Sequence, residues 1–199
     1  MTARVESLRR SWAEFVGPEA TRANNTLAVS SGIIGLFYSY RSAKRAGAGR
    51  FSQAALGALA LDLFGGAYVN NTRACVRWYE RAGQGAREHC AFAALHVHPL
   101  IVGAVDQRIG ERSNGVSWAS AHYGYMMLAT AITRSCPSRR RSLGAILTVG
   151  GLLLDHALRR SAVAPWFAWT YYPKLLLGHA AGSLWPDEDL GVEHFDSYV

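Results

Sequence analysis

Two apolar stretches carry four ionisable groups between them. Asp62 sits inside AALGALALDLFGGAYVNNT, and His89, His96 and His98 sit inside HCAFAALHVHPLIVGAV. An ionisable group in such a run costs about 2.5–3.5 kcal/mol on insertion scales unless it is paired or put to use. Six of the seven histidines, His89, His96, His98, His122, His156 and His179, fall in or beside apolar segments; only His194 lies in the tail. A carboxylate and several imidazoles are what proton transfer needs near neutral pH. Asp62, His96, His98 and His122 are therefore the catalytic candidates. His89, His96, His156 and His179 are candidate metal ligands. A set of imidazoles with a carboxylate suits iron, zinc or copper and suits calcium poorly.

Spacing decides which of these groups can meet. His89 and His96 are seven positions apart, two turns along one helix face. His98 points about 160° away from His96 in a regular helix. Pro99 disfavours helical geometry at His98, so HVHP reads as a bend that decides whether His98 joins the others. Asp62 precedes Gly65 and Gly66, which admit a close neighbour, and Asn70 follows two turns on. The plain alternative for Asp62 is an ion pair with Lys174, serving helix association alone. Asp155 has Arg159 four positions on as a partner. Arg73, Arg77 and Arg81 form a stripe at i, i+4 and i+8, whose guanidinium forks match phosphate oxygens or anchor at an interface. Asn70, Arg77, Arg81 and Lys174 are the substrate-binding candidates. Tyr123, Tyr125, Tyr171 and Tyr172 add hydrogen-bonding capacity.

The elements that must hold these groups follow from the uncharged runs. Ala23–Tyr40 has 18 residues without charge, Ser113–Thr133 has 21, and His89–Val105 has 17 with histidine neutral. Three more apolar stretches are each interrupted by one charged site, Asp62, Asp155 or Lys174. Crossing a bilayer takes about 20 residues. These runs predict an all-α polytopic membrane bundle of about six transmembrane helices, preceded by an amphipathic N-terminal helix. Val5, Leu8, Trp12, Phe15 and Val16 supply the apolar face of that first helix, and Gly17-Pro18 ends it. The expected divisions are an amphipathic segment over 1–22, a membrane domain over 23–185 and an acidic tail over 186–199. The arginine bias of the connections places the N-terminus in the cytoplasm of a multi-pass cell-membrane protein.

Composition fits attraction to anionic lipid. Lys and Arg number 21 against 14 Asp and Glu, a net charge of +7, and mean hydropathy is +0.02. The basic residues cluster between the apolar runs, as headgroup-facing connections do. No basic-aromatic interleaving or recognition motif points to nucleic acid. Cys75, Cys90 and Cys136 are odd in number and lack CxxC spacing, so neither a disulfide framework nor a zinc knuckle is expected. The N-terminal stretch has no apolar core of the signal-peptide type. GxSxG and HExxH are absent, and Gly83-Gln84-Gly85 lacks the Lys-Ser/Thr of a phosphate loop. The histidine content invites comparison with membrane di-iron desaturases and hydroxylases, but their HxxxH and HxxHH boxes are missing.

The functional expectation is a small integral membrane enzyme acting on a lipid or other hydrophobic small molecule through a His/Asp centre. Its two forms are metal-dependent oxidation, by hydroxylation or desaturation, and metal-free acid-base isomerisation or cyclisation with Asp62 as acid. The alternatives are a proton-coupled transporter or channel and a non-catalytic membrane subunit. The lipid bilayer and a hydrophobic molecule are the expected partners; an oligomeric partner is not specified by the sequence.

Overall fold

The long uncharged runs become long helices. In a computed structural model, residues 3–191 are described, and among them every regular element is helical. Helix α1 (Ala3–Val16) leads to α2 (Arg22–Arg45), whose start is fixed by a capping box between Thr21 and Asn24. α2 packs along α3 (Arg50–Val69) through its small residues Ala28, Gly32, Gly35, Ser39 and Ala43. A Cβ on Gly35 would fall 2.5 Å from the Phe64 ring, so only glycine lets the two axes approach this closely there. The short α4 (Arg73–Tyr79) follows, with Thr72 accepting from the Cys75 amide as its N-cap.

α5 (Ala86–Ala94) and α6 (His98–Arg108) are separated by the non-helical Leu95–Val97. Pro99 opens α6, a position where its missing N–H is harmless. α7 (Gly115–Ser135) and α8 (Arg140–Ala157) complete the long helices, linked by a 3₁₀ turn over Pro137–Arg139. The chain then enters α9 (Phe167–Tyr172) and runs directly into a π-helical segment, Pro173–Ala180, before the short α10 (Asp187–Leu190). That last run lies against α3, α7 and α8. Leu56, Leu63, Met126, Phe167, Tyr171, Tyr172, Leu175 and Leu176 are buried together in the main core.

The all-helical expectation holds, but the six-span bundle does not. Among the described residues one helical stretch, Ala86–Arg108, is long and apolar enough by length and composition to cross a membrane. That stretch is itself broken at Leu95–Val97. The physical reason is that uncharged is not the same as apolar. α2 carries Asn24, Asn25, Thr26, Ser30 and Ser31, and α7 carries Ser117, Ser120, His122, Thr130 and Thr133. The last predicted span is divided among a loop, α9 and the π-segment. The multi-pass membrane location, and the cytoplasmic N-terminus derived from it, are corrected by the same finding. The acidic tail contributes α10, and the part from 192 on, with His194, lies outside the described residues.

Candidate functional site

Asp62 lies at mid-helix in α3, and its carboxylate is the meeting point of two other elements. Lys174, second residue of the π-segment, brings Nζ to 2.6 Å from Asp62 Oδ2. His98, first residue of α6, brings Nε2 to 3.0 Å from the same oxygen. The α5–α6 break makes this possible, because a continuous helix would aim His98 away from His96. The two rings instead stack with centroids 5.3 Å apart. His96 is fixed from both sides: its Nδ1–H donates to Phe92 O at 2.8 Å, and its own carbonyl accepts from Tyr171 Oη at 3.0 Å.

Burial differs sharply within the cluster. The Lys174 side chain is 2% exposed and that of His98 12%, whereas the Asp62 side chain is 39% exposed. Asp62 is thus the member that solvent reaches. Burial alone pushes its pKa up, but the His98 hydrogen bond and the Lys174 charge outweigh that, leaving it well below the ordinary carboxylate range. Burial pulls the Lys174 amine down, and Asp62 restores only part of the loss. His96 is lowered to about 3 by burial and by the Lys174 charge, so its imidazole is neutral. Asp62 is therefore held as an anion.

The π-segment is hydrogen-bonded to residues at the end of α3. Asn70 Nδ2 donates to Lys174 O at 3.2 Å, and Asn71 Nδ2 donates to Pro173 O at 3.0 Å. Asn70, expected to bind substrate, is buried and gives its side-chain amide to the backbone of Lys174. Gly66 lies under the lysine: a Cβ there would sit 2.5 Å from Lys174 Cε. Asn71 was not singled out by the sequence; its only signal is adjacency to Asn70 in the NNT that follows α3.

The remaining candidates occupy other places. His89 and His179 have ring centroids 4.6 Å apart, and Phe92 stacks on His179 at 3.8 Å while also touching His96 at 4.6 Å. Burial lowers His89 to about 4 and His179 well below the usual histidine range. Beside them Glu80 is buried against Arg134 at 2.8 Å, with Arg140 at 3.9 Å, a network the sequence did not suggest. His156 is exposed on α8, apart from the buried histidines. Among the described residues no group of three or more His, Cys, Asp or Glu converges as a metal-ligand set.

His122 belongs to a second buried cluster. Its Nδ1 pairs with Tyr172 Oη at 2.7 Å and its Nε2 lies 3.7 Å from Asp155 Oδ1. Asp155 also faces Arg160 at 3.7 Å; α8 has ended by Arg159, whose φ of 62° takes it out of the i+4 position. The arginine stripe is likewise interrupted, since α4 stops at Tyr79. Arg77 pairs with Glu19 at 3.4 Å, Arg73 donates to Asp189 O, and Arg81 folds onto the Trp78 ring. No family model, curated protein or solved structure matches this chain. Geometry alone bears on its function.

Proposed function

We propose that this chain is an enzyme that moves protons on a hydrophobic small molecule, with Asp62, His98 and Lys174 as its acid-base centre. The observation that carries the reading is the double use of one oxygen, Asp62 Oδ2, by His98 Nε2 and Lys174 Nζ. A carboxylate on Nε2 holds the proton there, which leaves Nδ1 of His98 with a free lone pair, the orientation logic of an Asp–His pair. That Nδ1 is buried and has no hydrogen-bond partner among the described residues, so a substrate has to open the site to reach it. It serves as the base that takes a proton from carbon next to a carbonyl. The Lys174 ammonium stabilises the enolate oxygen that results. Return of the proton from Nδ1 to a different carbon completes an isomerisation, with no net gain or loss of atoms.

Substrate class is argued from the surroundings. Leu61 beside Asp62, and Leu95, Val97 and Leu100 around the His96–His98 segment, are exposed and apolar. An apolar body with one carbonyl fits such a surface, as a few polar groups among apolar side chains commonly fix orientation. The metal-free form is preferred over metal-dependent oxidation because the proposed metal ligands do not form a common set.

The test is hydrogen exchange. The protein is incubated in deuterated water with a panel of apolar β,γ-unsaturated ketones and enones, and deuterium uptake and double-bond migration are followed by mass spectrometry. The expected result is catalysis of at least one member, reduced about 100-fold or more in Asp62→Asn and His98→Gln, the usual scale of general acid-base assistance. Exchange no faster than buffer across the panel, or activity indifferent to both substitutions, overturns the proposal.

A further inference from the structure

The end of α3 and the start of the π-segment are joined at four complementary points. Gly66 leaves room for the Lys174 side chain, and Gly178 leaves room for the backbone of Asn70, whose carbonyl oxygen would sit 2.6 Å from a Cβ on Gly178. Between these glycine contacts the two asparagine amides donate to consecutive carbonyls, Asn70 to Lys174 O and Asn71 to Pro173 O. Asn71 spends its second amide hydrogen on Ala67 O at 2.9 Å, one turn back in α3, which fixes its rotamer. Its backbone carbonyl accepts from Trp185 Nε1 at 2.9 Å. Asn71 is thus anchored to α3 and to Trp185 as well as to the π-segment.

A π-helical turn is rare and persists where surrounding contacts determine it. Pro173 contributes no amide to the backbone ladder, so external donors matter more here than in an ordinary helix. We propose that Asn70 and Asn71 are positioning residues: by gripping the carbonyls of Pro173 and Lys174 they set the turn that holds the lysine amine on Asp62. The proposal rests on the reading of Lys174 as a working member of the acid-base centre. It assigns the asparagines no contact with substrate.

The chain has only two lysines, Lys44 and Lys174, and this gives a direct test without a substrate. Lys44 is exposed and Lys174 buried. Native protein is treated with formaldehyde and dimethylamine-borane, and dimethylation of each lysine is quantified by peptide mass spectrometry. Lys174 is expected to react far more slowly than Lys44. Loss of one amide donor in Asn70→Ala or Asn71→Ala should raise the Lys174:Lys44 ratio about 5- to 10-fold, the change in local opening that one lost hydrogen bond produces. Asn71→Ser, which keeps a donor on a shorter side chain, should fall between wild type and Asn71→Ala, and it replaces Asn71→Ala if that variant does not fold.

A merely structural role would lower the unfolding midpoint while leaving the ratio in the folded protein unchanged. An unchanged ratio in the folded asparagine variants overturns the inference. Asp62→Asn serves as the reference for a released amine. If it accelerates Lys174 labelling and the asparagine variants do not, the positioning role fails while the acid-base reading stands. If the asparagine variants respond as expected and deuterium exchange is absent for every ketone, the positioning role stands and the acid-base reading fails.

Discussion

Asp62 and Lys174 meet at 2.6 Å across 112 positions of sequence, yet only the lysine is shut away from water. The pair is therefore asymmetric in what each partner's loss should cost. Asp62→Asn strands an ammonium in the core, and breaking a buried pair from one side typically costs about 3–5 kcal/mol. Lys174→Met leaves a half-exposed carboxylate that still has His98 beside it. Urea unfolding at pH 7 should show Asp62→Asn as the more destabilised single variant. The double variant Asp62→Asn/Lys174→Met should recover part of that loss. Equal losses in the two single variants would contradict the asymmetry.

Glycines at the two ends of the same contact make a second comparison. At Gly66 an added methyl meets the far end of a flexible lysine; at Gly178 it meets the backbone carbonyl of Asn70. Side-chain tips can shift and backbone cannot. Gly66→Ala should cost about 1–3 kcal/mol, the usual range for overpacking, and should release the Lys174 amine to methylation. Gly178→Ala should be more destabilising, because the α3 terminus itself has to move. Paired unfolding curves decide the order.

Acid should unfold this protein through its histidines. Burial lowers His89 to about 4, His96 to about 3 and His122 to about 3, with His179 lowered as well. The ordinary value is 6.5. Below 6.5 the unfolded chain binds protons that the folded chain refuses, so stability falls with falling pH through the window between the two values. Four such groups together remove roughly 4 kcal/mol between pH 6.5 and 5.5 on this linkage. Urea midpoints at half-unit pH steps should drop steeply across that interval. His122→Phe, which removes one of the four, should flatten the slope, and a flat profile in the wild type would refute the account.

How much of this was legible without the structure depended on whether the determining contact was local. α2, α3, α7 and α8 follow the apolar and uncharged runs, and the break ahead of α6 follows from Pro99, since both are local properties. Pairing of Lys174 with Asp62 was visible as an option because each is a lone charge in its stretch. The π-turn that delivers the lysine was not, because it depends on Asn70, Asn71 and Gly178 meeting over a hundred positions of chain. Counting missing charges also overstated the membrane-spanning helices, since Asn, Ser and Thr lower hydropathy without adding charge. The arginine stripe failed for a local reason: α4 stops at Tyr79, and Arg81 turns back onto Trp78.

Asp155, in the second cluster, should respond to pH in the opposite sense from the histidines. Burial raises Asp155 to about 6 against an ordinary 3.8, with the Arg160 and Arg112 charges opposing it. Its folded pKa lies above its unfolded one, so the folded state holds the extra proton. The contribution of Asp155 is therefore present at acid pH and is lost as pH rises from about 4 through about 6. Asp155→Asn keeps the shape of the protonated acid and cannot ionise. Relative to wild type, it should gain stability on going from pH 5 to pH 7.5, with the difference shrinking again in acid. Trp118 packs against His122 with tilted rings whose centroids are 4.0 Å apart, so its fluorescence gives a local readout of the same event. A Trp118 signal that titrates near pH 6 in wild type and loses that step in Asp155→Asn would tie the transition to this carboxylate; the same step in both proteins would assign it elsewhere.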